Sequence, residues 1–535
     1  MSSESTDARE IAAGISRRQL VQAGVAGALA VGGLTVRAES ALAAEKVVRG
    51  GTLTVGMMTG GTAETLDPGL AIAASDTLRC VQLYDTLFRG APDIKTLLPG
   101  LATSAEHNKN ATVWTFHLRK GVVWHDGKPF TADDVLWNFQ SWGKSTNYNH
   151  ALFAGTVDFK RVRKRGPLTV EVPLLHAAAE FPSVFSFLEP FIIQRGATAK
   201  TLRTHPIGTG PFVFESFTPG KQSVFTRNPH YWEPGGKPYV DKVIVNSSFT
   251  DENARLNALL GGQVDISVGI PSTVASTYAH SKQIKLLKSH SPDPMCILMR
   301  VDTPPFADVR VRQALKLIAD RPALVRQALN GFGTPANDLI GVGCDYYLNL
   351  PVPKQDIEKA KSLLKAAGQE HLAFTLPTSN AFPGFVESAT IYAQQAAAAG
   401  VKVTVNQIPA ATYYTSTAGF LTRPICIDNG TTYPSLTALY QTWYTRDAPY
   451  NETFWGHQKG GAAVEKRIDA AIGATNPTRA AQLWHDVQMQ QFKEGGTIAF
   501  ANTDYLDATS PKIHGLKTTP VRNLNGYRLL DAWIS

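Results

Sequence analysis

The chain has 535 residues, 43% of them hydrophobic and 18% charged, with a formal net charge of +8. That balance describes a globular chain and excludes a disordered or collagen-like one. The basic residues are scattered; the one dense run, Lys160-Arg161-Val162-Arg163-Lys164-Arg165, ends at Gly166-Pro167 and reads as a solvated hairpin or turn, not a nucleic-acid patch.

At the N-terminus, Ser16-Arg17-Arg18-Gln19-Leu20 precedes the apolar run VQAGVAGALAVGGLTV. Arg37 follows, and Ala41-Leu42-Ala43 offers small residues for cleavage. Paired arginines before a weak, Gly/Ala-rich apolar run have the form of a twin-arginine export signal. The run is too short for a membrane span, which needs roughly 20 apolar residues. The expectation is a signal peptide over 1–43, with Arg17 and Arg18 engaging the twin-arginine translocase of a bacterium and the mature protein delivered to the periplasm. About 490 residues then remain, too many for one core, so two or three lobes are expected.

Thr52 to Val55 alternate apolar and polar residues between Gly51 and Gly56, as a first strand should. A helix is expected from Ser75 to Phe88. Trp114 to Arg119 form a second strand, Gly121 turns the chain, and Val122-Val123-Trp124 begin its partner. The stretch WHDGKPFTADDV (124–135) then sets a histidine beside an aspartate, with two more aspartates following. It resembles a metal or acid–base site, but each acid has a structural role. Asp126-Gly127 is a turn dipeptide, and Thr131 with Asp134 forms a capping box. Asp133 lies where the helix dipole favours negative charge. His125 belongs beside the turn.

Further along, Gly208 and Gly210 bracket a tight path into a strand whose Phe212 and Phe214 share a face. Thr250 caps a helix with Leu256, Leu259 and Leu260 on its apolar side, ended by Gly261. Phe306 opens a helix that buries Val311, Leu315 and Ile318. Asp320 caps the next, with Pro322 in its first turn and Gly331 at its end. Helices over 354–367 and 385–399, and a strand over 401–405 joined through Gly400, give this half an α/β rhythm.

No G-x-S-x-G, H-E-x-x-H, G-x-G-x-x-G or P-loop occurs. The S-x-x-K matches at Ser141–Lys144 and Ser362–Lys365 lack the companion motifs of serine acylases. The histidines form no helical metal pair, and Trp484-His485-Asp486 reads as an exposed helix patch. Cys80, Cys296, Cys344 and Cys426 contain no C-x-x-C, which argues against zinc ribbons and iron–sulfur clusters; three full disulfide pairings are open. No cysteine precedes Cys80, so a lipidated cysteine at the cleavage point is excluded. No catalytic residue, metal ligand or cofactor is assigned, and the chain is read as a non-enzyme.

The segment WTFHLRKGVVWHDGKPFTADDVLWNF (114–139) resembles the signature of family 5 extracellular solute-binding proteins, the receptors of peptide-importing ABC transporters. IGTGPF (207–212) with RNPHYW (227–232), Thr250 to Gly262 with Val264-Asp265, and PPFADVRVRQA (304–314) resemble further segments in the family's order. The resemblance implies an α/β, two-lobed periplasmic-binding-protein-like fold of type II, with an inserted subdomain and a ligand cleft between the lobes. Boundaries drawn partly on it place lobe I at 44–88, 204–293 and 506–535, the inserted subdomain at 89–203 and lobe II at 294–505. It also implies a monomer that passes its ligand to permease subunits in the inner membrane and binds no nucleic acid.

RPICIDNGTTYPSL (423–436) resembles the stretch that, in oligopeptide- and dipeptide-binding members, supplies a backbone strand for the peptide and an aspartate for its α-ammonium. Asp428 fits both spacings, Cys-x-Asp and Asp-Asn-Gly. Ile425, Cys426 and Ile427 would offer backbone, Tyr433 joins them at the ligand, and Arg423 would meet a carboxylate. The competing reading makes Asp428-Asn429-Gly430 a plain turn. Ile425 stands where a tryptophan is common, and no acid flanks Pro434. Cys296 and Cys426 resemble a bridged pair of the family. The family also includes receptors for nickel chelates, haem, sugars and opines. Tyr413, Tyr414, Tyr433, Tyr440, Trp443 and Tyr444 would suit sugar stacking as well as a core, which keeps an oligosaccharide as the second reading.

Overall fold

One nine-stranded sheet runs through the computed structural model, which describes residues 47–535 apart from 72, 92, 94, 95, 146, 148, 188, 189, 415–418, 432 and 521. The expected export signal, with Arg17 and Arg18, lies outside the described residues. Across the sheet the order is Ile425–Asn429, Lys285–Met299, Thr497–Thr509, Ile266–Ser267, Thr52–Met58, Lys242–Phe249, Gln222–Arg227 and Phe212–Thr218. Gly333–Pro335 pairs onto Thr497–Thr509 outside that order.

Two strands cross from lobe to lobe. Lys285–Met299 and Thr497–Thr509 have 15 and 13 residues, longer than the roughly 3–10 usual for strands. They pair antiparallel, from Lys285 opposite Thr509 to Leu298 opposite Thr497. One end of the pair lies beside Ile266–Ser267, in the expected lobe I, the other beside Ile425–Asn429, in the expected lobe II. Register slips between His290 and Pro294, and again between Met295 and Cys296. Pro292 and Pro294 interrupt the strand there, since proline donates no ladder bond.

Separate cores fill the lobes. In lobe I, Leu53, Val55, Leu83, Phe212, Phe225 and Val243 pack on one face of the sheet. The inserted subdomain has its own four-stranded sheet and an aromatic core of Phe116, Trp124, Phe139, Trp142 and Phe185. In lobe II the sheet is buried on both faces, and strand alternation sorts the residues. Met295, Ile297, Met299, Ile425 and Ile427 face one cluster; Cys296, Leu298 and Cys426 face the other.

Most elements lie where expected, with shifts at their ends. Thr131 and Asp134 form the capping box of Ala132–Trp142. Asp251, not Thr250, caps Glu252–Leu260, because its carboxylate reaches the Ala254 amide at 2.8 Å. Likewise Asp308 caps Val309–Ile318, so Phe306 precedes that helix. The first helix, Ala74–Leu83, ends early because Tyr84 is already extended. Val113–Leu118 pairs with Ala102–His107 and Thr169–Pro173, and Val123 makes only an isolated bridge to Pro129. Alternation marks a strand but does not say which strand pairs with it. Trp484 is buried at 1% exposure while His485 and Asp486 are exposed; adjacent residues on a helix point about 100° apart, and the patch reading missed that turn.

Candidate ligand site at the end of the crossing sheet

The motif residues stitch lobe I to the inserted subdomain. Gly208 packs so tightly against the first helix that an added Cβ would sit 1.7 Å from the Leu83 carbonyl oxygen; at Gly210 it would sit 2.5 Å from that of Gln82. His125 closes on this path. Its Nδ1 accepts from the Gly208 amide at 3.2 Å and its Nε2 bonds the Gly210 carbonyl at 3.0 Å, while burial pushes the imidazole down to about 4. Asp85, just beyond the first helix, is 5% exposed. It accepts from Thr209 Oγ1 at 3.0 Å, Tyr231 OH at 3.2 Å and Trp232 Nε1 at 2.8 Å. Burial raises its pKa, and Arg89 and Arg528 oppose that rise. Three of the family-like segments therefore meet at one structural junction.

The candidate ligand residues lie elsewhere, on the strand at the end of the nine-stranded sheet. Among the described residues Ile425–Asn429 pairs only with Lys285–Met299, in the register Cys296 to Asp428 and Leu298 to Cys426. Gly430 N donates to Pro294 O at 2.7 Å and Arg300 N to Pro424 O at 2.9 Å. These two bonds assign the even-numbered residues to the ladder, so the backbone N–H and C=O groups of Ile425 and Ile427 point to the outer edge. An extended ligand chain can pair with such an edge. Part of it is occupied: Ile427 O accepts from the Tyr413 hydroxyl.

Asp428 lies in this strand, 5% exposed, and not in a turn. Its Oδ1 accepts from Tyr414 OH at 2.7 Å and from the Asn429 amide at 2.8 Å. The carboxyl of Glu452, which sequence reasoning missed, acts on it, and burial raises the pKa of both. Glu452 sits in an irregular loop with no motif around it, so its position appears only once the chain is folded. Arg423 is 8% exposed. It donates to Tyr413 O, stacks 4.2 Å from the centre of the Tyr413 ring and acts on both acids as a counter-charge.

Two expectations change. The implied Cys296–Cys426 bridge is not formed; both are buried thiols. The register sets Cys296 opposite Asp428 and Cys426 opposite Leu298, so the pair is diagonal, and Cys426 Sγ donates to Glu452 Oε2 at 3.2 Å. Tyr433 is 5% exposed and packs with Leu436 and Trp443, its hydroxyl accepting from Trp443 Nε1 at 3.1 Å. Tyr413, Tyr440, Trp443 and Tyr444 are buried with it in the lobe II cores. Tyr414 differs, with 40% of its surface exposed.

A second contact joins the inserted subdomain to lobe II near this strand. Thr437 Oγ1 donates to Glu180 Oε2 at 3.0 Å, and Ser183 and Ser435 hydroxyls lie 3.5 Å apart. Burial raises the Glu180 pKa, and the negative charge of Asp345 adds to it. Among the described residues, no group of three or more His, Cys, Asp or Glu side chains is placed to hold a metal, and no helix is long and apolar enough to cross a membrane.

Residues 96–462 match the bacterial extracellular solute-binding proteins, family 5 Middle, and the chain belongs to that family, whose members are substrate-binding receptors of ABC importers. Among its relatives, a probable peptide ABC transporter periplasmic-binding protein of Sinorhizobium fredii is 30% identical over 66% of this chain and 69% of that protein. The dipeptide-binding protein of Escherichia coli is 29% identical over 54% of this chain, and the match spans 58% of that relative's length. Two solved structures share the fold across 91% of this chain. The Helicobacter pylori periplasmic binding protein DppA, in complex with the peptide STSA, has a TM-score of 0.75 at 21% identity and is covered to 98%. The binding protein AgaA of A. tumefaciens, in complex with agropinic acid, has a TM-score of 0.76 at 22% identity and is covered to 99%. The fold is therefore the two-lobed α/β periplasmic-binding-protein architecture.

Proposed function

We propose that the protein captures a peptide-like solute with a free α-ammonium in the periplasm and delivers it, by lobe closure, to an inner-membrane permease. The observation that carries this reading is Asp428: a nearly buried carboxylate at the end of a strand whose Ile425 and Ile427 backbone faces an outer edge. The carboxylate would hold the ammonium by a charge-assisted bond, and the edge would read main chain whatever the side chains. Relatives named for peptide and dipeptide binding support it. The sugar reading has less support, because Tyr433, Tyr440, Trp443 and Tyr444 are packed in a core. Cys426, whose backbone is taken up in the ladder opposite Leu298, would leave the ligand's main chain to Ile425 and Ile427, while Arg423 would balance the charge of the acids instead of gripping a ligand carboxylate.

Closure would bend the crossing strands at the register slip between His290 and Pro294, with lobes bounded near 293 and 505. Export would use Arg17 and Arg18; changing both to lysine should deplete the periplasmic fraction, and undiminished periplasmic protein would refute that route. The ligand reading is tested by calorimetry with a peptide pool and its N-acetylated copy. Binding of the free pool alone supports it, and equal binding of both removes the role of Asp428.

A further inference from the structure

A cavity of about 170 Å³ lies where Asp67-Pro68-Gly69, just ahead of the first helix, meets the expected inserted subdomain. Its other lining residues all fall between 137 and 202, so the strand proposed for the ligand and the expected lobe II have no part in it. At roughly 10–15 Å³ for each water-sized position, it has room for about a dozen such groups, the bulk of one sugar ring.

The wall carries polar groups whose bonds the fold does not complete. Asp67 is 9% exposed; its Oδ1 accepts from the Gly69 amide at 2.9 Å, and its Oδ2 has no hydrogen-bond partner among the described residues. Asn149 is 5% exposed, and its backbone is bonded to Asn147 and Leu152. Its side-chain amide makes no bond among the described residues. Trp142 is 2% exposed and stacks on Phe153 at 4.8 Å between ring centres, yet its indole N–H also lacks an acceptor there. Asn138 shows the contrast. Its amide donates to Asp134 O and Ile193 O and accepts from Ile193 N, so its role is structural. Buried polar groups are paired as a rule, and a concave set left unpaired is where a bound molecule can supply the bonds.

The kind of groups sets what fits. The carboxylate Oδ2 accepts, the indole N–H donates, and the Asn149 amide does both. A compact ammonium would pair with Asp67 but would turn donors toward the indole and amide donors. A hydroxyl donates and accepts, and several hydroxyls on one small ring can meet a carboxylate, an amide and an indole at once. We infer that this cavity is a second binding site, separate from the ligand strand, for a neutral polyhydroxylated molecule of monosaccharide size. Trp137, half-buried in the wall, adds aromatic surface for the C–H face of such a ring. Because lobe II takes no part, lobe closure is not needed to form the site.

The test is calorimetry of the full mature protein with glucose, galactose, mannose and myo-inositol in turn, and with methylammonium as the competing cation. At least one of the four polyols should bind with a Kd below about 1 mM. Asn149→Ala removes no side-chain bond within the described fold, so its thermal midpoint should hold while affinity falls at least about tenfold; Asp67→Asn should lose as much. Asp428→Asn should bind the same polyol as the unmodified protein does. No polyol binding at about 10 mM, or binding that both cavity variants leave intact, would overturn the site. Preference for methylammonium would overturn its ligand class, and loss of polyol binding in Asp428→Asn would overturn its separation from the ligand strand.

Discussion

Asp85 and Asp428 are both aspartates at 5% exposure that accept a tyrosine hydroxyl, yet they have different tasks. The donors to Asp85 come from 124 to 147 residues away in sequence, within the GTGP and NPHYW segments, and converge on one carboxylate. Its side-chain donors are fixed in the fold, and Arg89 and Arg528 stand near it. The main partners of Asp428 are another acid and a tyrosine that is partly exposed. A closed set of donors is what a structural junction needs; a carboxylate held by a partly exposed tyrosine is suited to exchanging partners. The segments that mark the family are thus where lobe I is fastened to itself and to the inserted subdomain, and the strand proposed for the ligand is where the pattern is looser.

The largest expected effect is at the junction. Asp85→Ala would strand one buried donor, two partly buried ones and two nearby arginines, and should cost about 3–5 kcal/mol of unfolding free energy in urea titration. Affinity per folded molecule should be unchanged; a variant of wild-type stability would break the comparison. Gly208→Ala should follow, at the upper end of the roughly 1–3 kcal/mol of an overpacked site, because the clash is with backbone. The pH dependence of His125 is a smaller test. Its folded pKa, about 4, lies below the ordinary 6.5. The stability it contributes is therefore present above pH 6.5 and lost as pH falls from there through about 4. Imidazole NMR signals should show it neutral at pH 5.5, and protonation at its ordinary value would contradict the buried junction. The smallest effect belongs to Glu180. Burial raises its pKa against the Thr437 bond, which favours the carboxylate, so closure that buries Glu180 should weaken as pH rises through that raised value. Glu180→Gln should flatten the dependence while changing affinity less than about fivefold. An unchanged pH profile would remove Glu180 from closure.

Local chemistry was legible in the sequence where one segment carried it. The Thr131–Asp134 capping box, the Asp320 cap and the strand over 52–55 needed only spacing and residue type. The two glycines of GTGP were legible as a tight path, but not that Leu83 and Gln82 carbonyls define it. Long-range partners were not legible. Glu64 reaches buried Arg79 at 2.8 Å, and Ser247 joins them from 168 residues beyond Arg79, with no local signal. Glu452 escaped for the same reason: its loop has no periodicity, and its meaning comes from Asp428. The disulfide expectation came from resemblance alone and gave way to a register that sets the two thiols on a diagonal.

The most direct measurement compares Asp428→Asn with Asp85→Asn, each assayed for thermal midpoint and for peptide binding by calorimetry. Asp428→Asn keeps the shape and removes one charge. Its midpoint should barely move, while affinity for the free peptide falls about 30-fold or more, as for losing one partner of a desolvated pair. Asp85→Asn should melt earlier and bind normally while folded. The reverse pattern, with Asp428→Asn unstable but binding like the unmodified protein, would contradict the assignment of Asp428 to the ligand.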